Sequence, residues 1–260
     1  MERTMSQKLI AEFVGAFTLI FIGAGAIIAF TSNPSSNGGI VQIAIAHGLA
    51  IGVMVSALGH VSGGHFNPAV TIGMLATAKI RLKDAAGYIV AQLAGGVAAA
   101  GLLRWALPQT AWKGAALGTP SVNYPLGVSN GQAVLIEAVL TFFLVWVVFA
   151  SAVDPEGSFG KIAGLAIGFT IMMDILMGGS FTGAAMNPAR AFGPALVGGY
   201  WTGWYVYWIG PIAGGVIAAA LYDGLILAKR GAGGSAEPGE APHAWGAHGE
   251  DADAVRDAEE

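Results

Sequence analysis

The chain has 260 residues, of which 55% are hydrophobic and 11% are charged, and its mean hydropathy is +0.64. This composition is typical of a membrane protein and argues against a soluble domain. Cysteine is absent, which excludes a disulfide framework, a thiolate metal site and a cysteine nucleophile. The net charge of −4 comes largely from the last 30 residues, so it says nothing about a charged partner of the apolar part of the chain, and no nucleic-acid partner is expected.

Six hydrophobic runs approach the roughly 20 residues that a helix needs to cross a bilayer. In chain order, the predicted spans are 9–31, 40–59, 84–106, 132–153, 161–178 and 203–228. The first run begins close to the N-terminus and has no small-residue cleavage site, so we expect it to be retained rather than removed as a signal peptide.

The positive charges predict an orientation. When the six spans are threaded in order, most lysines and arginines fall on the side of the two termini: Arg3, Lys8, Lys79, Arg81, Lys83, Lys161, Lys229 and Arg230. The positive-inside rule then places both termini in the cytoplasm. We therefore expect a multi-pass protein of the plasma or inner membrane. The last segment, 231–260, holds 8 of the 16 acidic residues and is predicted to be a disordered tail.

An internal repeat occupies residues 1–230. The stretch "VSGGHFNPAVTIG" at 61–73 is echoed by "FTGAAMNPARAFG" at 181–193, 120 residues later, and the first and fourth spans align so that Glu12 matches Glu137. The first copy covers about 6–107, a connecting loop covers 108–130, and the second copy covers about 131–230. Each copy has three spans and one short apolar stretch. Because three is odd, the copies have inverted topology, which places a functional site at the midplane.

Each Asn-Pro-Ala triplet, Asn67-Pro68-Ala69 and Asn187-Pro188-Ala189, suits the start of a helix, with asparagine as the N-cap and proline at the first helical position. A helix of about 11 residues is roughly 16 Å long and reaches only the midplane. Two such half-helices meet at their N-termini, where their positive dipole ends repel cations. Because each cap uses the asparagine oxygen, we expect both NH2 groups to donate to passing water and to interrupt a proton wire.

These paired motifs resemble those of the aquaporins of the major intrinsic protein family, over about residues 6–228. The resemblance implies an all-α membrane fold with six transmembrane helices and two re-entrant half-helices in an inverted repeat. It also implies a homotetramer in which each subunit conducts water passively and excludes protons and ions. The expected partners are water, small neutral solutes and the lipid bilayer, and no cofactor or metal is expected.

The resemblance further implies a selectivity filter made of His47, Ile175, Ala184 and Arg190. Strictly water-selective members carry phenylalanine at the position of His47 and histidine at that of Ile175, so this set is more similar to tonoplast-type and ammonia-permeable aquaporins. Ammonia is therefore expected to pass beside water, with urea and hydrogen peroxide as further candidates. Glycerol is a weaker candidate, because glycerol facilitators usually follow the arginine with aspartate, where this chain has Ala191.

Several polar residues lie within or beside the spans. In the family, acids at the positions of Glu12 and Glu137 accept hydrogen bonds from the re-entrant loops, which implies a loop-bracing role; a proton relay is the alternative. His60 and His65 are expected to brace the first loop, although His65 also suits a pore-facing position. Neither histidine has a partner at metal-ligand spacing. Asp174 in the fifth span has no assigned role.

Other functions remain open at this stage. A channel mainly for ammonia, urea or glycerol would need the same motifs. A coupled secondary transporter is also compatible with inverted repeats. A structural membrane protein would need only helix-packing faces and gives no reason for Arg190 and His47. An enzyme is not expected, because the sequence contains no nucleophile–base pair or phosphate-binding loop.

Overall fold

The computed structural model describes residues 3–33, 39–157 and 162–228. Lys161, Lys229, Arg230 and the predicted acidic tail lie outside these ranges. The described chain is helical throughout its regular structure: α1 Met5–Ser32, α2 Gly39–Ser62, α3 Pro68–Ala76, α4 Leu82–Ala106, α5 Gln109–Gly114, α6 Asn130–Val148, α7 Ala163–Thr182, α8 Pro188–Gly198 and α9 Val206–Tyr222.

Six of these helices are long and apolar enough to cross a bilayer. They are α1, α2, α4, α7, and α6 and α9 with their π-helical extensions, which reach Val153 and Leu227. The six predicted spans are thus confirmed. The short helices α3 and α8 have 9 and 11 residues, and they are the two predicted half-helices. We call the end of the bundle where α1 begins and α9 ends the terminal side, and the opposite end the distal side.

The helices of the two copies pack in equivalent pairs. The second helices of the copies, α2 and α7, pack against each other, and α1 packs on α4 as α6 packs on α9. Each half-helix packs against the last span of the other copy, α3 on α9 and α8 on α4. The copies are therefore interlocked, which confirms the inverted repeat predicted from the sequence.

Glycines allow the half-helices to approach these spans closely. The repeated sequence "AGGV" places Gly96 in α4 and Gly215 in α9. A Cβ atom on Gly96 would lie 2.9 Å from the carbonyl oxygen of Ala189, and one on Gly215 would lie 3.0 Å from that of Ala69. Both distances leave no room for a methyl group. The first turn of each half-helix therefore rests directly on the backbone of a membrane span.

The connecting segment 108–130, expected to be a loop, contains α5 and two 3-10 turns, Ala116–Gly118 and Tyr124–Leu126. Burial of Trp112 draws α5 onto the bundle. Farther along, Asn123 donates its backbone N–H to the carbonyl oxygen of Phe181 at 2.9 Å and its Nδ2–H to that of Ser180, also at 2.9 Å. The segment thus fastens the distal end of α7, just before the second Asn-Pro-Ala motif.

Candidate functional site

The two Asn-Pro-Ala motifs meet at the centre of the bundle, and each asparagine caps its own half-helix. Asn67 Oδ1 accepts from the backbone N–H of Ala69 at 2.8 Å. Asn187 Oδ1 accepts from the N–H groups of Ala189 at 2.9 Å and Arg190 at 3.2 Å. Proline occupies the first helical position in both cases. The local rules for helix starts therefore place both asparagines at the meeting point of the half-helices.

The amide groups also link the two copies. Asn67 Nδ2 donates to the carbonyl oxygen of Met186 at 2.8 Å, and Asn187 Nδ2 donates to that of Phe66 at 3.0 Å. An amide NH2 has two hydrogens, so each asparagine keeps one for a pore molecule. This corrects the expectation that the whole NH2 group would face the pore. One hydrogen of each holds the two loops together.

The residues before the asparagines make this link through an unusual backbone. Phe66 and Met186 have φ values of 49° and 50°, in the left-handed region that non-glycine residues rarely adopt. This conformation directs each carbonyl oxygen to the asparagine of the other copy. Both side chains are almost fully buried, so core packing offsets the backbone cost.

Glu12 contacts the loop that leads to Asn67. Its Oε1 accepts from the Ser62 hydroxyl at 2.7 Å and from the His65 N–H at 3.0 Å. Its Oε2 accepts from the Phe66 N–H at 2.7 Å and from Gln92 Nε2 at 2.7 Å. Four donors thus surround one fully buried carboxylate, and they tie α1, α2, the loop and α4 together.

Glu137 has the equivalent arrangement in the second copy. Its Oε1 accepts from the Thr182 hydroxyl at 2.7 Å and the Ala185 N–H at 3.0 Å, and its Oε2 accepts from the Met186 N–H at 2.8 Å. The position equivalent to Gln92 is Pro211, which has no side-chain donor, so three donors rather than four contact Glu137 among the described residues. Both carboxylates make the loop contacts that a bracing role requires.

The two histidines of the first loop differ. His65 donates its backbone N–H to Glu12, and its ring Nδ1 lies 3.1 Å from the hydroxyl of Thr71. Its side chain lines the central cavity. His60, in contrast, takes no part in the bracing. It lies on the exposed side of α2, whose buried positions here are Gly59 and Ser62, and it has no hydrogen bond to the described residues.

A central cavity runs past both motifs, and its empty volume of about 470 Å³ includes space that is open to solvent. Helices α2 and α7 each contribute every fourth residue to its wall. The lining side chains from these two helices are His47, Ile51, Val55, Ile167, Ile171 and Ile175. Ala184 and Arg190 also line it, so all four predicted filter residues face the same cavity, on its distal half. Asp174, next to Ile175 in sequence, is buried outside the lining, and its Oδ2 has no partner among the described residues.

His47 and Arg190 are joined by a hydrogen bond. His47 Nδ1 lies 2.8 Å from the carbonyl oxygen of Ile43, which can only accept, so Nδ1 carries the hydrogen. Nε2 is then the acceptor for Arg190 Nε–H at 3.1 Å. The imidazole is therefore neutral, and both its nitrogens are occupied. Arg190 Nη1 has no partner among the described residues.

Sequence reasoning did not identify three contributors to this site. Gln92 and Thr71 extend the Glu12 network, with Gln92 Nε2 3.0 Å from the Thr71 hydroxyl. Gly23 lies against the His47 ring. The register of the repeat carried the signal for Gly23, because it matches Val148 at the offset of 125 residues that relates Glu12 to Glu137. A mismatch between a glycine and a branched residue indicates a local difference in shape.

Comparison with known proteins agrees with this arrangement. The family model described as "Major intrinsic protein" matches residues 1–222. "Aquaporin TIP4-4" of Zea mays is 43% identical over 229 residues, and "Aquaporin TIP1-2" of the same species is 45% identical over 230; each match covers 86% of this chain and 88% of the relative.

A solved structure shares the fold. The "X-ray structure of the aquaglyceroporin from Plasmodium falciparum" superposes with a TM-score of 0.75 and 28% sequence identity, covering 87% of this chain and 98% of that chain. Six membrane-crossing helices, two half-helices joined at their asparagines and a family match over most of the described residues lead to one assignment. The chain belongs to the major intrinsic protein family and is a multi-pass membrane channel of the aquaporin type.

Proposed function

We propose that the protein conducts water passively, excludes protons and ions, and also admits ammonia. The observation that carries this proposal is the convergence of Asn67, Asn187 and Arg190 on one continuous cavity. The remaining wall is largely apolar, so a water molecule has few protein partners along the file. Such a wall favours rapid passage, because no strong binding site holds the permeating molecule.

Proton exclusion follows from the asparagines. Each retains one amide hydrogen after making its cross-copy bond, and both lie at half-helix N-termini. A water oxygen that accepts both hydrogens has its own hydrogens directed away from the centre, so the donor–acceptor order that proton transfer needs is interrupted. The converging dipole ends and the charge of Arg190 add a barrier to cations.

The solute range follows from the distal constriction. Ile175 and Ala184 are apolar, and both nitrogens of His47 are occupied. Arg190 is then the principal donor to a passing molecule among these four residues. A constriction with one principal donor and with aliphatic side chains at the positions of Ile175 and Ala184 favours small uncharged solutes besides water. Ammonia is the first candidate, and urea and hydrogen peroxide are tested with it.

Stopped-flow light scattering on proteoliposomes tests the proposal directly. Vesicles with the protein are expected to shrink faster in an osmotic gradient than empty vesicles, and a pH-sensitive dye inside them is expected to report faster ammonia entry. Water flux equal to that of empty vesicles would refute the proposal. The same vesicles in urea and glycerol gradients test the alternative main substrates, and saturable uptake coupled to an ion gradient would instead support a transporter.

The filter assignment has its own test. The double variant His47→Phe with Ile175→His is expected to lower the ratio of ammonia flux to water flux, because an aromatic ring narrows the constriction and a new histidine adds polarity. An unchanged ratio would count against the assignment of these two residues. Val53→Leu, at an exposed apolar position of α2 that lies outside the cavity lining, serves as a matched control.

Assembly and orientation are part of the same proposal. We expect a homotetramer in which each subunit has its own pore, and native mass spectrometry of the detergent-solubilised protein tests it. Basic residues of the described chain, such as Lys79 and Arg81, lie near the terminal side, which favours cytoplasmic termini. The sequence predicts the plasma or inner membrane, whereas the similarity to tonoplast-type members favours a vacuolar membrane. Membrane fractionation distinguishes the two.

A further inference from the structure

We infer that Gly23, in α1, is a positioning residue of the distal constriction: its lack of a side chain makes the recess in which His47 holds Arg190 against the pore wall. We call this space the recess at Gly23. The inference rests on the proposed function, because it concerns the filter of the same pore. It adds a residue that does not line the cavity and determines whether Arg190 stays out of the water path.

The recess fits the imidazole closely. A Cβ atom on Gly23 would overlap three atoms of the His47 ring, namely Nε2, Cδ2 and Cε1. The ring cannot turn freely, because Nδ1 is fixed by the Ile43 carbonyl oxygen at 2.8 Å. With these two constraints Nε2 lies 3.1 Å from Arg190 Nε. The backbone of α1 therefore determines where the acceptor for the arginine lies.

The repeat has these three residues in one half of the pore only. In the terminal half of the pore, the positions equivalent to Gly23, His47 and Arg190 are Val148, Ile167 and Val70, and all three of these line the cavity. At these three positions the terminal half thus has no arginine, no imidazole and no glycine. The three residues of the distal half are absent there as a group, which is expected if each is useful only with the other two.

Loss of the recess would move the guanidinium into the lumen. Arg190 is 2% exposed, and its Nη1 has no partner among the described residues. A buried cation that loses its remaining side-chain acceptor moves toward water, because an unpaired buried charge is costly. Arg190 already lines the cavity, so the water file is the nearest such place. The guanidinium of Arg190 then obstructs the pore, even where the change that released it made another side chain of the pore wall smaller.

The experiment measures water flux through proteoliposomes for Gly23→Ala and His47→Ala, with equal amounts of folded protein. Both variants are expected to reduce water flux at least about fivefold, since one hydrogen bond to a charged group controls the position of Arg190. Arg190→Ala added to either variant is expected to restore the flux. Gly25→Ala is the matched control, because its Cβ would lie 3.4 Å from Leu103 Cδ2 in ordinary contact, and wild-type flux is expected.

The direction in which His47→Ala changes the water flux distinguishes this inference from a role in which His47 only lines the pore. If His47 only narrows the pore, then His47→Ala widens it and water flux rises, which would overturn the inference. Wild-type flux in Gly23→Ala would overturn it as well, and so would the absence of recovery in the Arg190→Ala double variants. If Gly23→Ala does not fold, His47→Ala with and without Arg190→Ala carries the test alone.

The two proposals fail in different ways. Wild-type vesicles with no water flux above that of empty vesicles would refute the proposed function. Conducting wild-type vesicles with Gly23→Ala equal to Gly25→Ala would refute only the role of the recess. In the Gly23→Ala, His47→Ala double variant the added methyl group meets no ring, so its water flux is expected to equal that of His47→Ala. A further decrease there would show that Gly23 acts by another route.

Discussion

Replacing each buried glutamate by glutamine tests the bracing of the two loops, because the two carboxylates have different numbers of donors. Glu12 accepts two hydrogen bonds on each oxygen. Glutamine has one acceptor oxygen and one NH2 group. Either orientation in Glu12→Gln therefore sets the NH2 against one backbone N–H, and it also requires a side-chain donor, Ser62 or Gln92, to give up its present bond and turn. Glu137 accepts two on Oε1 and one on Oε2. In Glu137→Gln, the NH2 can therefore face one donor only.

The expected magnitudes follow from this count. A hydrogen bond to a charged group contributes about 1.5–3 kcal/mol, so Glu12→Gln is expected to lower the free energy of unfolding by roughly 3–6 kcal/mol and Glu137→Gln by roughly half as much. A neutral side chain is also easier to bury, which reduces both costs. This gain in free energy is common to the two variants, so it lowers both costs and leaves their order unchanged.

Thermal unfolding in detergent, followed by size-exclusion chromatography of the surviving protein, measures the ranking. Glu12→Gln is expected to have the lower apparent Tm. Gln92→Leu provides the matched control, because it removes one of the two donors on Glu12 Oε2. Adding Glu12→Gln to Gln92→Leu is then expected to cost about as much as Glu137→Gln. A Glu137→Gln variant that is as destabilised as Glu12→Gln would refute the reasoning.

Three further predictions concern packing, charge and the filter. Gly193→Ala is expected to abolish the folded channel, because its Cβ would overlap the backbone of α4. Gly101 has open space around it, so Gly101→Ala is expected to be neutral or stabilising by about 0.5–1 kcal/mol. The yield of folded protein distinguishes the two variants. Lys79→Met breaks the 2.7 Å ion pair with Asp223 and is expected to cost under about 1 kcal/mol, with unchanged water flux and a cost that shrinks in high salt. Mercuric chloride is expected to leave water flux unchanged, since the chain has no cysteine. In Ala184→Cys, mercuric chloride is expected to block water flux, and a thiol is expected to reverse the block. An Ala184→Cys channel that is insensitive to mercury would exclude Ala184 from the constriction.

Much of the fold was predictable because hydropathy and repetition are properties of the sequence itself. The boundaries were less accurate where polar residues extend a helix. Helix α1 begins at Met5, four residues before the predicted span, because Thr4 and Gln7 form a capping box outside the apolar run. Helix α7 continues to Thr182 rather than ending near 178, since its last turn is rich in glycine and small polar residues that hydropathy does not count.

The site was predictable where a motif fixes the backbone and unpredictable where tertiary contacts decide. The repeated triplets predict that Asn67 and Asn187 begin half-helices. Their bonds across the copies depend on the left-handed backbone of Phe66 and Met186, and neither residue type indicates that conformation. The expectation for His60 was wrong for a related reason, because composition alone does not show which side of the last turn of α2 is buried.

The duplicated and the unduplicated features of the molecule serve different needs. Both copies have the capped asparagine, the buried glutamate with its hydroxyl and backbone donors, and the glycine that admits the half-helix. Folding requires these features, because loops inside a membrane must have every polar group satisfied. The polar residues of the distal constriction, His47 and Arg190, are not duplicated. An arginine in each half would place a second buried cation in a half where Ile167 and Val148 offer no acceptor, at a high cost in free energy. The repeat thus keeps the scaffold symmetric while the selectivity chemistry is confined to one half of the pore.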